Sequence, residues 1–443
     1  MKSLLTLLLT FFLVNTTVHA QDPDALNDSG WAQYNRQDYK DALYSYDNAI
    51  RLKKKDKNDE VFYCHRADVK VKMGDAAGAM DDYDKAIKLR PDYAEAYASR
   101  GDAWPKPNGL SKAIKDYSKA IEIDPNYIIA YANRGNAEMY MATYQPALDD
   151  YTKAIQLGTD DPAVYYNCAT AKIKLKDFKG AIVDYDLAIQ LKPGYKEAYL
   201  GRALVKNQLQ DYKGASPDID KYVSLDSTNA SAWFTRGKIQ GYMGDYKSEV
   251  KDYTKAIQYN PEYWEAYKCR GVAKVLTGDY SGAIDDHNVA IKLHPDYTEA
   301  YFNRGVAKGK LEDFKGEIED YNKALRLDPE YTEAYINRGI AKGREGEFKE
   351  AFKDYDYAIE LDPTNSNAWY YRANEKANTK DYTGAIDDYN WAIKLNPTFA
   401  LAFFNRGLTK TILGDKGGAC EDWHRAQELG YKEAYVKIRN FCD

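Results

Sequence analysis

One segment of this chain recurs every 34 residues, and that period constrains its fold more than any other feature. The run Thr298-Glu-Ala-Tyr-Phe-Asn-Arg-Gly-Val-Ala-Lys returns 34 positions later as Thr332-Glu-Ala-Tyr-Ile-Asn-Arg-Gly-Ile-Ala-Lys. Extended in both directions, the frame yields twelve copies starting near 23, 60, 94, 128, 162, 196, 230, 264, 298, 332, 366 and 400, with a three-residue insertion after the first. A length of 443 residues would otherwise suggest two or three globular domains. A period of this length makes each copy one supersecondary unit that buries its apolar face by stacking on its neighbours.

Individual positions of the copy have physical tasks. Position 8 is Gly or Ala in all twelve copies, as at Gly30, Ala67, Gly135 and Gly305. Gly inside a helix costs about 1 kcal/mol relative to Ala, so its return marks a place where a second helix approaches closely. Position 20 is Ala in ten copies and position 27 in eleven, which asks for the same closeness on a second helix. Position 4 is large throughout, as at Tyr131, Trp233 and Phe403, and position 24 is mostly Tyr, as at Tyr83 and Tyr389. Large residues fill the space that small ones leave, as dense packing requires. Gly-Asp-Tyr or a relative separates the two helices, and Pro closes many copies, as at Pro295 and Pro329, because it cannot continue the helix behind it.

Large at 4, small at 8, aromatic at 24, Ala at 20 and 27 and Pro at 32 together resemble the tetratricopeptide repeat, over residues 23 to about 431. The variant is similar to the Tyr-x-Asn-Arg-Gly-x-Ala-Lys form of exported bacterial repeat proteins. The resemblance implies an all-α fold: a right-handed α-solenoid superhelix of about twelve helix-turn-helix repeats, its concave groove lined by the first helices. A short amphipathic helix over 432–443 is expected to cap it.

Position 7, normally apolar in that family, is Arg in ten copies, and position 23 is Asp in eleven. The two sit on facing helices, which predicts a structural Arg–Asp ladder, since a partly buried guanidinium needs a carboxylate. The other reading is a row of Arg for anionic ligands.

The first twenty residues differ from the rest. Lys2 precedes an apolar run from Leu4 to Val14, and Val18-His19-Ala20 resembles a small-residue cleavage site. This predicts a signal peptide over 1–20 cut between Ala20 and Gln21, and a periplasmic, cell-envelope or secreted chain. The run is too short for a membrane span. Cys64, Cys168 and Cys269 lie about three repeats apart, too far to pair along a rigid array. Cys420 and Cys442 are expected to form a disulfide that pins the cap in an oxidising compartment.

In the family, positions 2, 5, 6, 9, 12 and 13 face the groove. Position 6 is Asn in five copies: Asn133, Asn167, Asn303, Asn337 and Asn405. A carboxamide can donate to a peptide carbonyl and accept from its N–H together, so the row either binds an extended peptide or is simply solvated. Position 5 offers Phe234, Phe302, Tyr370 and Phe404, either an apolar floor for peptide side chains or packing between repeats. The carboxylate clamp of heat-shock cochaperones is not matched, because the one Lys at position 5, Lys268, is followed by Val272 at position 9.

Two copies depart from the pattern. Trp104-Pro-Lys-Pro-Asn should shorten the first helix of the third. Ser216-Pro217 should delay the second helix of the sixth by a turn, with Ser as cap and Pro at the first position.

No catalytic or metal-binding spacing is present. His287 and His294 have no further His or Cys at ligand distance, and there is no nucleophile elbow or phosphate loop. A net charge of −6 without a basic block excludes a nucleic-acid footprint. The reading is a non-catalytic scaffold without cofactor that binds extended segments of other proteins. A self-associating structural protein and a carbohydrate-binding module of the cell envelope are the alternatives.

Overall fold

A computed structural model describes residues 22–53 and 59–442. The expected signal peptide and the Ala20–Gln21 cut lie outside the described residues. Those residues form 25 helices and no strand. They group into two compact units, one ending at Asp211 and the other starting at Tyr212.

Within each unit the architecture is the same. A first helix is followed by a tight turn and an antiparallel second helix, and each helix packs on the next in sequence. Thr298–Lys310 and Phe314–Leu327 form one such pair, and Thr332–Arg344 and Phe348–Leu361 the following one. Successive first helices also touch each other, as Asp59–Lys72 touches Ala94–Ala103 and Thr332–Arg344 touches Ser366–Asn378. Each unit therefore presents a wall of first helices.

The sequence explains the pairing. In Phe314–Leu327 the buried residues Glu317, Asp320, Tyr321 and Ala324 follow the i, i+3, i+4, i+7 spacing of one helical face. The small residue at position 8 lets the second helix approach. A Cβ built on Gly305 would stand 2.8 Å from the Tyr321 ring. The turn residue at position 15 is left-handed, with φ +85° at Gly278. Asp279 after it accepts from the Gly282 N–H at 3.0 Å and caps the second helix.

The two irregular copies resolve differently. The first helix of the third spans only Ala94–Ala103, stopped before Pro105. The expected late start in the sixth copy is wrong. The helix runs Tyr212–Leu225 with Pro217 inside it. Pro217 removes one backbone bond, typically a cost of about 3 kcal/mol. The register is instead held by the apolar face, where Ala215, Ile219, Tyr222 and Val223 are all buried.

After the last pair, the helix Glu433–Phe441 lays Ala434 and Ile438 on Phe404 and Trp423. Cys442 directly follows it and is disulfide-bonded to Cys420 across a separation of 22 residues. Closing a loop of that length stabilises by about 3 kcal/mol on the chain-entropy account. Cys64 and Cys168 are buried thiols, and Cys269 is half-buried.

Candidate functional site

The charged rows are occupied internally. Arg66 donates through both fork nitrogens to Asp82, at 2.8 and 2.7 Å. The same bidentate pair forms at Arg100–Asp116, Arg134–Asp150, Arg270–Asp286, Arg304–Asp320, Arg338–Asp354, Arg372–Asp388 and Arg406–Asp422. The remaining guanidinium nitrogen reaches the preceding repeat. Arg304 donates to Asn288 at 2.7 Å and Arg372 to Asp356 at 2.7 Å. Each such Arg ties two repeats together, and its fork is not available to an anionic ligand.

Position 11 completes the rung. Lys308 reaches Asp320 at 2.9 Å, and Lys172 reaches Asp184 at 2.8 Å in the copy where Cys168 replaces Arg. Trp104 donates to Asp116 at 2.8 Å in the same role. The acids respond to these neighbours. Burial pushes the Asp82 carboxyl up, but Arg66 and Lys70 outweigh it and hold it below its usual range. Where position 11 is Gln240, burial drives Asp252 up to about 6, only partly offset by Arg236.

The five Asn divide into two groups. Asn133 donates to Asp102 at 2.9 Å, Asn167 to Asn136 at 2.9 Å, and Asn405 to both Asn374 and Tyr370 at 3.0 Å. Asp102, Asn136 and Asn374 sit at position 9 of the preceding repeat, and Tyr370 sits at its position 5. For Asn303 and Asn337 position 9 is Val272 and Val306, and neither carboxamide has a hydrogen-bond partner among the described residues. The rings of position 5 pack inside their own copy, against the position-24 ring of the second helix and the aromatic residue that closes the copy, so they are not an open apolar floor. Phe234 lies 5.4 Å from Tyr253 and 4.9 Å from Tyr263, and Phe302 repeats this with Tyr321 and Tyr331. Tyr370 does so with Tyr389 and Phe399, and Phe404 meets Tyr431 at 4.8 Å.

Asn337 faces open space. It lines a cavity of 560 Å³ together with Gly309, Lys310, Glu317, Ile340, Arg344 and Tyr371. A second cavity of 420 Å³ shares Ile340, Arg344 and Tyr371 and adds Tyr355, Asn374, Glu375 and Asn378. The two make one depression along the first helices of three successive repeats in the C-terminal unit. In the N-terminal unit, Lys106 lies 5.0 Å over the Tyr140 ring and borders a 420 Å³ cavity with Asn136, Tyr151 and Asn167. The shortened third repeat thus contributes a residue to a notch. Among the described residues, no group of three or more His, Cys, Asp or Glu could hold a metal ion. No described helix is long and apolar enough to cross a membrane.

One buried position is occupied out of pattern. His287 takes the place of the usual Tyr at position 24, is fully buried, and has neither ring nitrogen hydrogen-bonded. Burial lowers its pKa from 6.5 to about 4. The unfolded chain binds this proton near pH 6.5 and the folded chain only near pH 4. Its contribution is therefore complete above pH 6.5 and is lost as pH falls toward 4, by up to about 3 kcal/mol. Asp252, held up near 6, has the opposite slope, so the measurement must be a difference. The stability of wild type relative to His287→Tyr, from urea midpoints, should fall between pH 7 and pH 4. A difference that stays constant with pH would refute the assignment.

Sequence profiles described as tetratricopeptide or TPR repeat match residues 67–104, 108–139, 162–195, 230–263, 298–331, 332–365 and 366–399. Together these cover more than half of the chain. This is a tetratricopeptide-repeat protein. Repeat chains of this family generally act as non-catalytic interaction scaffolds. No curated protein sequence matches this tetratricopeptide-repeat chain. Among solved structures it is similar to MamA at 23% identity, over 39% of this chain and 94% of that one, with a TM-score of 0.37. Yeast Tom70 aligns at 19% identity over 94% and 99% of the two chains, TM-score 0.37. The APC/C hetero-tetramer Cut9–Hcn1 aligns at 12% identity over 98% of each, TM-score 0.46. These likenesses are too loose to bear on what the chain binds.

Proposed function

We propose that this tetratricopeptide-repeat chain is an exported, non-catalytic scaffold that holds an extended segment of another protein against its wall of first helices. The observation that carries the reading is the split of the Asn row. Three carboxamides are spent on the preceding repeat, while Asn303 and Asn337, one repeat apart, have no hydrogen-bond partner among the described residues. A carboxamide presents a donor and an acceptor together, which is what the backbone of an extended peptide needs. The apolar run before Ala20 supports export.

The test is in-cell crosslinking with mass spectrometry on wild type, Asn303→Ala/Asn337→Ala and Asn133→Ala/Asn167→Ala. The first pair should lose crosslinked partners at unchanged protein level. The second pair, already engaged internally, should keep them. An identical partner set for wild type and the first variant removes these two Asn from the account.

A further inference from the structure

The depression beside Asn337 carries an unexplained expense of burial. Position 12 is Gly in three copies, Gly241, Gly309 and Gly343, and each faces a carboxylate. A Cβ on Gly309 would stand 2.5 Å from the Glu317 carboxylate, and one on Gly343 would stand 2.3 Å from that of Glu375. The two copies that lack Ala at position 20 carry Glu249 and Glu317, each beside such a glycine. Glycine in a helix interior and a carboxylate in a wall are both unfavourable, yet they meet within repeats seven and nine and across the junction of repeats ten and eleven.

Structure accounts for only part of this. Glu249 and Glu317 accept from the hydroxyls of Tyr253 and Tyr321 at 3.0 Å, in copies whose position 9 is Lys238 or Val306 and supplies no acceptor. The second oxygen of Glu317, Oε2, has no partner, and neither has Oε1 of Glu375. The two residues are 5% and 6% exposed, and both line the depression. Burial raises the carboxyls of Glu317 and Glu375 above the usual range. The cations nearby, Lys310 and Arg344, are exposed and form no ion pair among the described residues; they act on Glu317 from a distance and offset only part of the effect of burial. Tyr321 and Asn378 each serve one of these acids, and what the depression lacks is a donor for the remaining oxygens, Oε2 of Glu317 and Oε1 of Glu375.

We infer that this stretch of the wall binds a basic segment of its partner, an extended peptide whose Lys or Arg side chains donate to Glu317 and Glu375 while Asn337 holds its backbone. The inference rests on the peptide-groove reading above and adds the chemistry of the occupant. A cation entering here meets a desolvated carboxylate with a free lone pair, the setting in which a charge-assisted hydrogen bond is strongest. A metal ion does not fit, since no group of three ligating side chains is present among the described residues.

The test uses the full chain and an array of 12-residue peptides of randomised sequence. Bound peptides should be enriched in Lys and Arg. Replacing the basic residues of a bound peptide by norleucine should weaken it at least roughly tenfold in fluorescence anisotropy, as for loss of a desolvated charge partner. With Glu317→Gln/Glu375→Gln that difference should vanish. Gln retains the shape and an acceptor for Tyr321, and circular dichroism checks that the variant is folded. Peptides bound without basic enrichment, or an enrichment unchanged in the folded variant, overturn the inference and leave the groove reading standing. Binding of no peptide by either protein overturns both.

Discussion

Replacing Asp320 with Ala should destabilise the C-terminal unit by about 3–5 kcal/mol, the range for removing one partner of a buried ion pair. Asp320 is 3% exposed and receives both fork nitrogens of Arg304, at 2.9 and 2.5 Å, as well as Lys308 at 2.9 Å. Its loss leaves two cations facing a low-dielectric wall with only Asn288 bound to Arg304. The double variant Arg304→Met/Asp320→Leu should lose much less, because the penalty is the orphaned charge and not the absence of the pair. Hydrogen exchange over Phe314–Leu327 is the suitable readout, since a stacked array can open locally and one global midpoint blurs the effect. A loss under about 1 kcal/mol for Asp320→Ala would place this rung among solvated surface pairs.

Tyr321→Ala should cost a similar amount, about 3–5 kcal/mol, by opening a cavity where a large ring was. The ring is 1% exposed and fills the space over Gly305, and its hydroxyl donates to Glu317 at 3.0 Å. Gly305 supplies the control. In wild type, Gly305→Ala must push the ring, because the new Cβ would lie 2.8 Å from it. In the Tyr321→Ala background the same methyl enters an empty space and should be neutral or stabilising. Equal effects of Gly305→Ala in both backgrounds, measured by urea denaturation, would show that the ring does not set the requirement for Gly.

How much of this was visible in the sequence depends on what a period of 34 preserves. Gly or Ala at position 8, Arg at 7 and Asp at 23 keep their identity from copy to copy, so both the close approach and the Arg–Asp pairs could be read before any coordinates. Position 25, which accepts the third guanidinium nitrogen, was missed. It is Asp84, Ser118, Thr254, Asn288 or Asp356 in different copies. These residues share only a side-chain oxygen, and a search for one recurring residue type passes over them. The pairing of Gly309 with Glu317 was missed for the opposite reason. It occurs in a minority of copies, and a consensus built from the majority erases it. Ser216-Pro217 satisfies the local rule for starting a helix, but four buried side chains fix the register there and carry the helix through it. The Asn row was legible as residues but not as roles, since its division depends on what the preceding repeat presents at position 9.

The inter-repeat tie through Arg has a consequence for how such a chain can change length. Each tie takes its Arg and its Asp from one copy and its third acceptor from the copy before. Because every 34-residue copy from the second to the eleventh brings a side-chain oxygen at position 25, a whole copy duplicated or deleted in frame joins to its new neighbour with donors and acceptors still matched. Gene rearrangement in units of one copy therefore leaves no stranded charge, whereas a break at any other spacing does. The array can grow or shrink by whole copies under drift, and the Gly–Glu pairs held within the seventh and ninth copies can be carried, lost or moved without disturbing the frame that holds them.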